Sequence, residues 1–281
     1  MTVQTLQPTV LAEGFTYGEG PRWRDGLLWF TDKHADAVRT VAADGMVGTG
    51  ASTPHPSGIG WMPDGDLLVT SLEHAVLHRI TPDGPVVHCD LTAFGPSLND
   101  MVALPDGRVY VDVYTSRGGG PPNGDLALVE PDGTVTIVAE GLATPNGLAV
   151  TPDGGTLVAA ETFGNRLHAW TVRSDGSLCD QRVFAELGPE RHPDGICMDA
   201  EGAVWVGCFL SGEFLRVLDG GEITHRVPVG ESWAVAPALG GPEMRTLHLV
   251  VNDTTFMGIA TGESACRIET VEVDVPGVGS P

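Results

Sequence analysis

In the stretch Pro145-Asn146-Gly147-Leu148-Ala149-Val150-Thr151-Pro152-Asp153-Gly154-Gly155-Thr156-Leu157-Val158-Ala159, a polar residue enters a short apolar run. A Pro-Asp-Gly turn follows, and a second apolar run leaves it. Runs this short, bounded by Pro, Asp and Gly, read as β-strands, and Asp-Gly supplies the backbone freedom a tight connection needs. The same arrangement recurs along the chain. Its turn glycines fall at Gly26, Gly65, Gly107, Gly154, Gly202 and Gly241, spaced by 39, 42, 47, 48 and 39 residues. A period near 40–45 with several strands per unit is the signature of a propeller blade. Further hairpins sit between these turns: Val38–Val41 runs into Asp44-Gly45, Ala75–Ile80 into Asp83-Gly84, and Leu126–Val129 into Asp132-Gly133. Each repeat therefore holds about four strands. The expected fold is all-β, a six-bladed β-propeller of four-stranded blades around a central channel, in one domain spanning 1–281. The last strand, Arg267–Val273, is expected to pair with an N-terminal strand such as Thr9–Ala12 and close the ring, leaving no free edge.

One position marks every repeat. It is held by Glu19, Ser57, Asn99, Asn146, Asp194 and Trp233. Five of the six lie eight places before the turn glycine, and Glu19 lies seven before Gly26. In a propeller the innermost strands line the channel, so equivalent residues form a ring about the axis. Asn and Asp before Gly are ordinary turn formers taken singly; the shared register is what argues for a site. Five polar side chains, two of them carboxylates, are costly to bury without compensation. A divalent cation would compensate them. Carboxylate and amide oxygens, without His or Cys, suit a hard ion: Ca²⁺ first, then Mg²⁺ or Mn²⁺, with Zn²⁺ possible in an open site.

The motifs Gly18-Glu19-Gly20-Pro21-Arg22-Trp23, Leu98-Asn99-Asp100, Thr144-Pro145-Asn146-Gly147 and Pro193-Asp194-Gly195-Ile196 resemble those of the SMP-30/gluconolactonase/luciferin-regenerating-enzyme family over nearly the full length. The resemblance implies one axial divalent metal held by Glu19, Asn146 and Asp194. Asn99 would stand beside it as ligand or substrate contact, with Asp194 doubling as general base. It implies hydrolysis of a lactone or related ester; the alternatives are another metal-dependent enzyme on the same site, an isomerase, C–C hydrolase or phosphotriesterase-like hydrolase, or a non-catalytic binding propeller, because fold does not fix reaction. Sugar-lactone members often carry Arg-x-Asn-Asp-Gly-Lys around the Asn99 position. Here it reads Ser97-Leu98-Asn99-Asp100-Met101-Val102, which points to a less polar substrate. Pocket walls are expected from Ser57, Trp233, His55, His192, Ser97 and Tyr114, with Phe163, Phe209 and Phe256.

The charge of −22 disfavours nucleic acid and anionic membrane as partners and points to a small-molecule substrate. No run approaches the ~20 apolar residues of a membrane span, and residues 1–14 lack signal-peptide features. Five cysteines without a C-x-x-C pair fit reduced thiols and a cytoplasmic setting. The irregular, glycine-rich stretch from Thr115 to Asp125 is either a rim excursion or a cover over the pocket. Oligomeric state is left open.

Overall fold

The computed structural model describes residues 3–116, 120–121 and 123–279. Six antiparallel sheets form a ring of blades, and the fold is the expected six-bladed propeller. The first blade runs outward through Gly18–Arg24, Leu27–Asp32, Ala37–Ala42 and Val47–Ser52. The innermost strands of the next five are Pro56–Trp61, Ser97–Ala103, Pro145–Val150, Pro193–Met198 and Trp233–Gly240. Thr9–Phe15 pairs antiparallel with Ala265–Glu272, so the N-terminal segment supplies the outer strand of the last blade and closes the ring. Beyond that expectation, Gln4–Thr5 adds a fifth, parallel strand to the blade before it, with Gln4 opposite His225.

The six turn glycines all adopt left-handed φ, between 71° and 97°, where only glycine is free of strain. The preceding aspartates cap these turns: Asp64, Asp106, Asp153 and Asp199 each accept a backbone N–H two residues on. The core lies between neighbouring blades. Val158, Leu167 and Ala169 of the fourth blade, for example, pack with Ile196, Val206 and Leu215 of the fifth. Of the Thr115–Asp125 stretch, residues 117–119 and 122 lie outside the described residues, and so does its reading as a cover. Among the described residues no helix is long and apolar enough to cross a membrane. All five cysteines are free thiols, four of them buried.

Every innermost strand breaks register near the marked position. The pairing slips between Glu19 and Arg22, Pro56 and Ile59, Leu98 and Met101, Pro145 and Leu148, Pro193 and Ile196, and Ala234 and Ala236. These bulges re-aim a side chain that would otherwise follow the strand's alternation. The glycines after Asn146 and Asp194 are strand residues, not turns. A Cβ on Gly147 would stand 2.6 Å from the Asp194 carbonyl oxygen, and one on Gly195 would stand 2.3 Å from the Ala236 Cβ. Glycine there lets adjacent inner strands approach at the axis.

Candidate active site

Glu19, Ser57, Asn99, Asn146, Asp194 and Trp233 all line one cavity of about 210 Å³ at one end of the channel. Its wall is completed by Tyr17, Lys33, Leu72, Tyr114, Thr144, Thr162, Phe163, Phe209, Phe256 and Ile259. The inner strands thus deliver six side chains, from positions up to 214 residues apart in sequence, to one place.

A chain of hydrogen bonds crosses the blades. Ser57 Oγ donates to Asn99 Oδ1 at 2.7 Å, and Asn99 Nδ2 donates to Asn146 Oδ1 at 3.0 Å. The Asn146 amide nitrogen reaches Thr162 Oγ1 at 3.4 Å, and that hydroxyl donates to the Pro193 carbonyl at 2.8 Å. Beneath Asn99, the buried Asp112 carboxylate accepts the backbone N–H groups of Asn99 and Asp100 at 2.7 and 3.1 Å. Thr31 Oγ1 lies between the Ser57 carbonyl at 2.7 Å and the Glu19 carbonyl at 3.1 Å. Residues of the second strands, Thr31, Asp112 and the adjoining Thr162, therefore hold the bulges in shape. Arg22 ties the first inner strand to the third. Its Nη2 donates to Asp100 Oδ1 at 2.9 Å and to the Met101 carbonyl at 2.6 Å.

The electrostatics are lopsided. Burial, with Asp100 nearby, pushes the Glu19 carboxyl up to about 8, against the pull of Lys33. Burial, then Glu19 and Asp100, drives Asp194 well above the ordinary aspartate range. Asp112 is raised by burial and by Asp100. Arg22 is committed to Asp100, which leaves Lys33 as the only basic side chain among the described residues lining the cavity. The Glu19 and Asp194 carboxyl groups thus share a space with too little positive charge, beside Asn99 and Asn146, whose amide oxygens accept hydrogen bonds within the ring. That excess fits a divalent cation with oxygen ligands.

Facing this polar side is an aromatic one. Trp233 packs edge-on against Phe209 at 4.9 Å and Phe256 at 5.0 Å between ring centroids. Phe256 is carried by the short helix Phe256–Thr261, whose N-cap Thr255 accepts the Gly258 N–H.

Three expected wall residues lie elsewhere. Ser97 is buried opposite Tyr114 in the strand pair and does not reach the cavity, whereas Tyr114 does. His55 turns outward to Glu73, with Nε2 3.3 Å from its carboxylate. His192 is wedged behind the wall between the rings of Phe163 and Phe209, at 5.8 and 6.0 Å. Tyr17, Lys33, Thr144 and Thr162 went unforeseen, yet two registers carry them. Tyr17, His55, Thr144 and His192 each stand two places before a marked residue. Lys33, Leu72, Thr162 and Phe209 each follow the second strand of a blade, and each donates its N–H to the carbonyl of the corresponding earlier residue.

The chain belongs to a family of propeller proteins: residues 17–252 match the model of the SMP-30/gluconolactonase/LRE-like region. It is 25% identical to a pentonolactonase of Haloferax volcanii, over 94% of this chain and 92% of that one. It is 26% identical to a 6-deoxy-6-sulfogluconolactonase of Pseudomonas putida, over 98% and 95% of the two chains. Among solved structures, the calcium-binding protein regucalcin of Agrobacterium tumefaciens superposes with a TM-score of 0.82 at 23% identity, over 100% of this chain and 98% of the other.

Proposed function

We propose that this chain is a hydrolase of lactones or related cyclic esters, dependent on one divalent cation in the channel. The observation that carries the proposal is the convergence of Glu19, Asn99, Asn146 and Asp194 on one under-compensated cavity in a chain related to lactonases over most of its length. Glu19, Asn146 and Asp194 would hold the ion, with Asn99 beside them. Ca²⁺ suits the oxygen donors best. When bound, the cation polarises the lactone carbonyl and acidifies water.

The chain's own groups do the rest. Asp194, at the axial cavity beside Glu19 and Asn146, takes the proton of the attacking water. The Asn99 amide is fixed from both sides, by the Ser57 hydroxyl on its oxygen and Asp112 on its backbone, so it presents a set orientation to the reacting ester. Lys33 tempers the negative charge that would repel an attacking hydroxide and an ester oxygen. The aromatic wall of Phe209, Trp233 and Phe256 binds the non-reacting part of the substrate and excludes water from it. This wall favours lactones with an apolar substituent over polyhydroxylated ones. A panel of γ- and δ-lactones, assayed with chelator and again with Ca²⁺ or Mn²⁺ restored, tests the reading. Hydrolysis that is lost and regained supports it; hydrolysis indifferent to chelator refutes the metal's role.

A further inference from the structure

The geometry points to a second metal site, separate from the channel and of different chemistry, formed by His55, Glu73 and His74 on the second blade. It would take a borderline-soft divalent ion such as Zn²⁺, with two imidazole nitrogens, one carboxylate oxygen and solvent in the open position. One ligand atom from each of the three residues lies within 4.8 Å of the others. His55 Nε2 and Glu73 Oε2 are 3.3 Å apart, and the His55 and His74 rings meet edge-on at 6.1 Å between centroids. Donors of a tetrahedral zinc site, with bonds of about 2 Å, stand roughly 3.3 Å apart. Two donors are at that separation now. The third has to close by no more than about 1.5 Å, within the rotamer freedom of an exposed histidine.

The backbone under the trio is set. His55 has φ of 49°, a left-handed conformation uncommon outside glycine. Its N–H donates to Asp36 Oδ1 at 2.9 Å, and its carbonyl accepts from the Leu72 N–H at 3.1 Å. That second bond ties the His55 loop to the turn carrying Glu73 and His74. The propeller does not require this combination. Residues equivalent to His55 in the first, fourth and fifth blades are Tyr17, Thr144 and His192. Those equivalent to Glu73-His74 are His34-Ala35, Phe163-Gly164 and Leu210-Ser211. Of these four blades, the second alone places three metal-ligating types there.

The donor set separates the two sites by ion. Imidazole nitrogens favour Zn²⁺, Co²⁺ and Ni²⁺ over Ca²⁺, whereas the channel offers oxygens only. An ion here would clip the loop leading into Ser57 to the turn leaving Leu72, two residues that line the cavity. It would therefore brace the rim without touching substrate.

Titration of the tag-free chain with Zn²⁺ alone, against a colorimetric chelator, tests the site. The Asp194→Asn chain, its channel disabled, is expected to retain about one equivalent of Zn²⁺. Adding His74→Ala, an exposed position that folding tolerates, should weaken that binding by about 10- to 100-fold. Ca²⁺ binding by the otherwise native His74→Ala chain should not change. Co²⁺ should give a visible band in the native chain that His74→Ala and Glu73→Gln each diminish. Zn²⁺ binding unaltered by either substitution, or abolished by Asp194→Asn alone, would overturn the proposal and leave the channel reading standing.

Discussion

Replacing Phe256 with alanine separates the aromatic wall's role in substrate choice from any role in folding. The ring is 60% exposed, on a two-turn helix at the cavity mouth. Its centroid lies 5.0 Å from that of Trp233 and 6.1 Å from that of Phe209. Edge contacts of this kind contribute about 0.5–1.5 kcal/mol each when buried. With most of the ring in solvent, the cost to stability should be about 1 kcal/mol, a fall in Tm of roughly 2–4 °C. A substrate whose alkyl group rests on the ring loses more. Removing such contact costs about 1–3 kcal/mol at the transition state, or roughly 5- to 150-fold in kcat/KM. The assay is kcat/KM of Phe256→Ala and the parent on two γ-lactones, one bare and one with a long alkyl substituent. The alkylated lactone should lose its advantage, and the bare one should change less than about threefold. Equal losses on both, or none on either, would refute the assignment of the aromatic side to an apolar substituent.

Arg22→Met leaves Asp100 buried without its partner, since the pair's side chains are 6% and 9% exposed. Urea unfolding should show a loss of about 3–5 kcal/mol, and a loss below about 1 would mean the pair does not hold the inner strands together. Glu161 governs an acid-side component of stability. Burial opposes its ionisation, but hydrogen bonds from His168, the Ala143 N–H and Arg166 outweigh burial and hold it down from 4.5 to about 2. A depressed carboxylate contributes stability that is complete above its unfolded value and fades as pH falls toward the folded one. Screening beside the partly exposed Arg166 reduces that contribution to about 1–2 kcal/mol. The stability difference between the parent and Glu161→Gln should therefore shrink between pH ~5 and ~2. A constant difference would show that Glu161 does not stay ionised.

Much of the architecture was readable because two constraints act locally. Glycine at a left-handed turn and an aspartate capping it are demanded wherever a blade's inner hairpin reverses, so Gly65, Gly107 and Gly154 announce the period. The marked residues share a register because each lies at or beside the bulge of its inner strand, and the one-residue offset of Glu19 goes with a shorter turn, Asp25-Gly26 between Arg24 and Leu27 where the second blade has residues 62–66 between Trp61 and Leu67. Side-chain direction at the rim was not readable. Tyr17 and His55 occupy equivalent positions, yet Tyr17 meets Glu19 at 3.4 Å inside the cavity and His55 pairs with Glu73 outside it. Lys33 and Thr162 fall in three-residue turns whose sequences differ from blade to blade, so only their hydrogen bonding back to Tyr17 and Thr144 reveals the second register. The strand Gln4–Thr5 carries no pattern of its own; it forms because the outer edge of the fifth blade is open to it.

If the oxygen-rich ring holds one cation and catalysis needs it there, losing a ligand should cost binding and turnover together. Calorimetric titration of Ca²⁺ into the native chain, Glu19→Gln and Asp194→Asn, each chelated beforehand, tests this most directly. About one Ca²⁺ should bind the native chain, with binding weakened at least tenfold in both variants and lactone hydrolysis lost with it. Ca²⁺ bound equally well by all three chains would contradict it.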